Sequence, residues 1–243
     1  MISAFFGTVF YNPLYNALIA LVAIIPGNDL GFAVISLTLL VKFILAPLMH
    51  QSLTLQKKMR DIEPKLKELK EKHPNREEQA VKTMELYREH GINPFAGILG
   101  MFIQLPVIFS LYFVTRAGID LAAPYIYSFT PRPEHINSLF LGSFDLTQTS
   151  VLLAALAALT QFVQAQLAIP PVPKAAPGEE PSFKNEFARS MNVQARFILP
   201  IFIFFVGLKF TAALALYWIT GNLFSIAHEL YIRRLALRTQ KEA

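Results

Sequence analysis

The chain has 243 residues, 53% hydrophobic and 16% charged, with a net charge of +5 and no cysteine. Charge this sparse falls well below the roughly 25% of a soluble domain. Its concentration in a few stretches excludes an ordinary globular enzyme and points to an integral membrane protein with a soluble element. The absence of cysteine removes disulfide frameworks and thiol catalysis.

The pattern predicts an all-α polytopic membrane protein with five transmembrane helices. Residues 1–30 come first. The start, "MISAFFGTVFYNPLYN", lacks the basic region of a secretory signal, so the chain is expected to work with this N-terminus attached. Phe5–Ile25 is apolar enough to insert, but Asn12-Pro13 is expected to divide it and Pro26-Gly27 to end it. The remaining stretch is short, and a stretch of about 10–14 residues more often lies at the interface than spans. The surface-lying helix is favoured over a span.

The expected spans are 31–49, 92–115, 146–169, 197–210 and 211–232. The fourth is short, and its break from the fifth is marked only by Gly207 and Lys209. With the N-terminus outside, segments 50–91, 170–196 and 233–243 are cytoplasmic and hold 18 of the 22 Lys and Arg residues. The outside segments, 1–30 and 116–145, hold only Arg116 and Arg132. This bias orients the chain with its C-terminus in the cytoplasm.

Segment 50–91 has ten basic and eight acidic residues. Leu55, Met59, Ile62, Leu66 and Leu69 recur at steps of four and three, forming one apolar stripe on a helix. Pro64 predicts a restart near Glu63, and His73-Pro74-Asn75 predicts a turn. Ala80, Met84 and Tyr87 are expected to continue the stripe on a second helix, closing a hairpin that ends at Gly91 and Asn93-Pro94. The near balance of charge argues against nucleic-acid readout. In 165–196, "AIPPVPKAAPGEEP" reads as a flexible loop.

Lys42 stands in the middle of "LTLLVKFILAPLM". A cation at the centre of a span costs roughly 2.5–3.5 kcal/mol. Its Cα lies about 10 Å from the cytoplasmic end of the span, and a lysine side chain reaches roughly 6 Å. No Asp or Glu lies in the first four spans, and Glu229 is at the far end of the fifth. Neutral polar groups are available at Thr38, Gln104, Thr160, Gln161, Gln164, Trp218 and Asn222. Together they suggest a wet, positively charged cavity open to the cytoplasm. A snorkelled lysine without a role, or an ion pathway, would carry the same residue. A solute transporter would also keep a midplane cation but would usually show internal repeats, and none is evident. A membrane assembly scaffold would use the hairpin and not Lys42. No nucleotide-binding loop and no metal-ligand spacing occur, so no enzyme activity, metal or cofactor is expected.

Six motifs in series, "FYNPLYNAL", "TLLVKFILAPL", "MRDIEPKLKELKEKH", "INPF", "FIQLPVIFSLY" and "ALYWITGNLFSI", resemble the YidC/Oxa1/Alb3 family of membrane protein insertases. The likeness runs from about Phe5 to Ile232. It implies five spanning helices, an interfacial N-terminal helix outside the bacterial plasma membrane and a cytoplasmic helical hairpin. It further implies membrane protein insertion, with nascent membrane proteins, ribosome–nascent chain complexes, the Sec translocon and the lipid bilayer as partners. The family's groove cation falls on Lys42. Its polar neighbours fall on Thr38, Gln104, Gln164, Trp218 and Asn222, with Thr160 and Gln161 as further candidates. The family position is usually Arg, whereas this chain has Lys, which keeps a point charge without the planar fork. The chain resembles the short bacterial form, and its tail, 233–243, is expected to be too short for a major ribosome-binding arm.

Overall fold

The computed structural model describes residues 4–73, 75–92, 96–169, 190 and 192–242, and within these it leaves the side chains of 4, 48–57, 96–103, 235–242 and a few scattered positions undescribed. The chain is mostly helical and divides into two compact units, residues 1–42 with 108–243 and residues 43–107.

In the first unit, helical residues run from Ala4 through a π stretch, Gly7–Tyr11, into α1, Asn12–Ile24. The expected division at Asn12-Pro13 does not occur. Asn12 N–H donates to Gly7 O, five residues back, and this wider turn carries the helix past the proline ring, which would otherwise clash with a carbonyl of the preceding turn. The same device recurs later: a π stretch, Gln194–Ile198, leads into α7, Leu199–Gly207, just before Pro200.

The π stretch and α1 bury Tyr11, Tyr15, Leu18, Ile19 and Val22 along one stripe. Mid-helix Asn16 is buried too, and its amide ties α1 to the segment before the hairpin described below. Its Oδ1 accepts from Tyr127 N–H at 2.7 Å and Thr130 Oγ1 at 2.7 Å, while its Nδ2 donates to Tyr125 O at 3.0 Å. Tyr15 Oη bridges the backbone of Asp120, and its ring meets Tyr125 edge-on.

α2 runs from Leu30 to Asp61. Asp29 caps it, its Oδ1 accepting from Gly31 N–H at 2.7 Å and Phe32 N–H at 3.0 Å. A small hairpin, β1 (Leu139–Phe140) and β2 (Phe144–Asp145), pairs antiparallel. Its Phe140 ring lies on Gly31, where a Cβ would come within 2.1 Å of the ring. Leu30 N–H donates to Asn137 O, locking the start of α2 to the chain two residues before β1. The turn itself places Leu141 at φ 52° and Gly142 at φ 67°. Such a turn favours Asn-Gly, and a leucine held in the left-handed region costs roughly 1–2 kcal/mol.

α6, Val151–Ala168, is capped by Ser150 Oγ, which accepts from Leu153 N–H. It meets α7 closely, since a Cβ on Gly207 would lie 2.8 Å from Ala154 Cβ. After the turn at 208–211, α8 runs Ala212–Glu242. Its first six residues, AALALY, are buried, and the small side chains let its neighbours approach. α8 starts on the loop: Ala212 N–H donates to Gln148 O and Ala213 N–H to Leu146 O. The C-terminal end of α6 is held by two arginines. Arg196 donates to Ile169 O and Gln166 Oε1, and Arg233 donates to Leu167 O and pairs with Glu229. Cations at a helix C-terminus satisfy its orphan carbonyls and oppose its dipole.

The second unit contains α3, Glu63–Lys72, and α4, Arg76–Glu89. α3 begins where Pro64 predicts a restart, with the proline in its first turn. Asn75 caps α4 by accepting from Glu77 N–H at 2.9 Å. The C-terminus of α4 turns at Gly91, φ 60°, and Ile92 N–H donates to Tyr87 O at 2.8 Å. This closure folds Ile92 back onto Ile62 and Leu66, with Met59, Leu86 and Tyr87 packed around them. The expected seam through Met84 is therefore displaced. Met84 is exposed, and the contact passes between Leu86 and Tyr87 because Ile92 returns on that side. The side chains of Leu55 and Ala80 lie outside the described residues.

α5, Ala96–Ala117, is 22 residues long and enters the first unit at Ile108. There Thr115 Oγ1 meets Thr211 Oγ1 at 2.8 Å and Tyr112 meets Phe210 edge-on. Among the described residues three helices are long and apolar enough to cross a membrane: Gly7–Ile24, Leu30–Pro47 and Val151–Ala168. Two lie in the expected first and third spans, and the other is the N-terminal segment expected to be interfacial. Gln194–Gly207 is apolar but shorter. Residues 170–189 of the expected 170–196 loop lie outside the described residues.

Candidate cationic site on the Lys42 helix

On α2, Leu40, Phe43 and Ile44 form an exposed apolar face. Lys42 is two residues from Leu40, about 200° around the helix axis at 3.6 residues per turn. The cation therefore points away from the apolar face. Thr38, one turn earlier, shares its side and is buried, with Oγ1 donating to Val34 O at 2.6 Å.

The partner of this face is α8 at Gly221. A Cβ built there would lie 3.2 Å from Lys42 Cε, 3.8 Å from Lys42 Nζ and 3.9 Å from Thr38 Cγ2. The lysine stem thus lies across a glycine that leaves it room. Ser225, one turn further along the same side of α8, donates to Gly221 O at 2.9 Å. No hydrogen bond or ion pair to the Lys42 ammonium is found among the described residues, whereas Lys72, Lys82 and Arg233 each pair with a carboxylate.

The other expected residues fall in separate groups. Asn222, also buried, donates from Nδ2 to Thr160 Oγ1 at 3.2 Å and to Ala157 O at 3.4 Å, joining α8 to α6. Gln161 Nε2 donates to Gln164 Oε1 at 3.2 Å on α6. Trp218 is half-buried on α8. Gln104 is half-buried on α5 in the second unit. The structure therefore joins Lys42 with Thr38, and Asn222 with Thr160. Sequence reasoning missed Gly221 and Ser225. The available signal was "TGNLFS", a glycine breaking the run of side chains on one helix face, but its meaning depends on the lysine opposite.

Buried Ser110 Oγ has no hydrogen-bond partner among the described residues. It adds a polar atom to the α5 face that also carries Val107, Leu111 and Val114. Together these features make a cation held against a helix by its aliphatic stem, with no carboxylate on its head among the described residues. Such a group can attract an anion without any covalent step.

Residues 21–240 match the family model described as 60Kd inner membrane protein. The chain is 29% identical to membrane protein insertase YidC 2 of Bacillus anthracis over 239 residues, covering 96% of this chain and 82% of that protein. It is 32% identical to membrane protein insertase YidC of Wolinella succinogenes over 215 residues, covering 88% of this chain but 35% of that protein. The chain thus spans about a third of the longer relatives it matches. A crystal structure of an active YidC insertase, with its first transmembrane domain resolved, shares the fold at a TM-score of 0.53 and 22% identity, covering 93% of this chain and 46% of that one. The matched length and the shared helical fold place this chain in the 60Kd inner membrane protein family, that of the YidC/Oxa1 membrane proteins.

Proposed function

We propose that the chain is a membrane protein insertase and chaperone, one that receives client segments at a hydrated, positively charged groove and releases them sideways into lipid. The observation that carries this reading is Lys42, turned from the apolar face of α2 toward Gly221 with no carboxylate on its ammonium among the described residues. The groove residues are Lys42, Thr38, Gln164, Trp218 and Asn222, with Thr160 and Gln161 as further candidates; Gln104 is a candidate by the family resemblance alone. The relatives' names as insertases support the activity.

Five helices span the membrane in this reading: the Lys42 helix, α5, α6, the short Gln194–Gly207 segment and α8. α1 lies at the outer interface instead of crossing. Asn16, in its middle, bonds to a segment that also bears Asp120, Arg132 and Glu134. Were α1 to span, that charged segment would have to reach the hydrocarbon midplane, which is costly. The paired helices α3 and α4 lie in the cytoplasm with the C-terminal tail, a reading that the distribution of basic residues supports. There they meet nascent membrane proteins, ribosome–nascent chain complexes and the Sec translocon.

A client's short hydrophilic tail enters the groove from the cytoplasm, and its acidic groups are drawn to Lys42. Water already in the groove lowers the cost of moving charge through oil. The 14-residue Gln194–Gly207 segment is about 21 Å long, against a hydrocarbon core of roughly 30 Å. It favours local thinning and shortens the path. Transfer of the client's apolar segment into lipid then drives release, without cofactor or covalent chemistry. Membrane insertion of acidic-tailed clients in cells depleted of their own insertase tests this. Lys42→Arg should sustain insertion and Lys42→Ala should not. Full activity of the alanine variant would remove Lys42 from the mechanism.

A further inference from the structure

The β1–β2 hairpin has an inside and an outside. Phe140 points inward onto Gly31 and is buried. Side chains alternate along a strand, and the flanking Leu139 and Leu141 are 50% and 64% exposed. A solvated hairpin would carry polar residues there and Asn-Gly in its turn. This one holds a leucine at φ 52°, a conformation that side chains with a Cβ avoid, and presents it outward.

The surroundings identify what covers it. Phe32, in the first turn of α2, is exposed and meets the Phe140 ring edge-on at 5.4 Å between centroids. Phe32 stands on the side of α2 that also carries the exposed Leu40, and the strand neighbours of the ring it touches, Leu139 and Leu141, are exposed. The hairpin is also pinned at the helix ends, through Asn137 to Leu30 and through Leu146 and Gln148 to the start of α8. The hairpin is thus fixed to the first residues of both helices, while Glu134 nearby stays exposed.

We propose that the hairpin tip is a lipid wedge: Leu139 and Leu141 enter the bilayer leaflet at the end where α2 begins. Lipid is the occupant because the exposed leucines lie beside Phe32, which shares its side of α2 with Leu40, the side that the spanning helix shows to acyl chains. The wedge holds the outer ends of α2 and α8 at a set depth. This inference rests on the reading that α2 spans the membrane.

The chain contains no cysteine, so single nitroxides can be placed at Leu139→Cys, Leu141→Cys, Leu40→Cys and Glu134→Cys. In nanodiscs of phosphatidylethanolamine and phosphatidylglycerol, relative accessibility to oxygen and to a water-soluble nickel chelate reports depth. Labels at 139 and 141 should favour oxygen, as the label at 40 does, while 134 favours nickel. Nickel-favoured labels at 139 and 141, with 40 still favouring oxygen, would overturn the wedge and leave the spanning reading intact. A nickel-favoured label at 40 would instead overturn the spanning reading, and the wedge with it.

Discussion

Two cationic regions of this molecule sit on neighbouring helices and differ in their partners. At the end of α6, Arg196 and Arg233 each give a donor to a terminal carbonyl, of Ile169 and of Leu167, and Arg233 also pairs with Glu229. On α2, Lys42 rests its stem over Gly221, and no described residue takes its proton donors. The arginines complete a helix terminus, which is a structural task. Among the described residues no group accepts from the lysine, and under the proposed function its charge serves the arriving client. A charge in or near a membrane is therefore informative by what it lacks as much as by where it lies.

The comparison is broken most forcefully at Lys42. Two opposite charges about 4 Å apart attract by about 1 kcal/mol in water and about 4 kcal/mol near a protein surface. Lys42→Ala should thus slow insertion of acidic-tailed clients at least about fivefold, measured in the depleted strain, with the folded protein's amount unchanged. Clients with neutral tails should be affected less.

Gly221 sharpens the same point. Gly221→Leu would fill the space over which the lysine stem lies, where even a Cβ sits 3.2 Å from Cε. The side chain must then swing away, and client selectivity by tail charge should fall several-fold. Gly221→Ala should produce a smaller change, because the lysine end can yield. Equal losses for acidic and neutral tails would mark Gly221 as a packing residue only.

At the arginine clamp the expected outcome reverses. Arg196→Ala removes a charged hydrogen bond from a helix end, worth about 1.5 kcal/mol or somewhat more. The unfolding midpoint in detergent should fall by a few degrees, while insertion per folded molecule stays near that of the parent. A selective loss of acidic-tailed clients would instead make this a second client-binding cation.

The smallest effect is expected at Asp145, outside the spans. Thr147 donates to its carboxylate from the backbone N–H at 2.9 Å and from the hydroxyl at 2.7 Å, which holds its pKa below the usual range. A depressed folded-state pKa stabilises above the unfolded value and is lost as pH falls through the folded one. Asp145→Asn should therefore narrow the gap in unfolding midpoint between neutral and acidic pH slightly, and do nothing at the acidic end. The carboxylate is largely exposed, which keeps the change small.

Much of this was readable in the chain because it depended on one element at a time. The Lys42 face follows from helical period alone, and the restart of α3 from Pro64. The break before α8 was readable from Gly207 and Lys209. What was not readable needed a partner. Asn12-Pro13 reads as a division because a proline ring blocks an ordinary turn, and only the π stretch before it removes the clash. Met84 was placed on the seam of α3 and α4 by spacing, yet the return of Ile92 moved that seam to Leu86. Gly221, Gly31 and the arginine clamp have meaning only through Lys42, Phe140 and the carbonyls of α6, which lie far away in sequence.

The central claim is that water reaches the side chain at position 42. A single cysteine placed there can be tested in nanodiscs with a charged, membrane-impermeant thiol reagent. Alkylation at a rate near that of an exposed loop cysteine, and far above that of a cysteine at Leu40, is the result expected. An inert cysteine at 42, as slow as the one at 40, would contradict the hydrated groove and the route proposed through it.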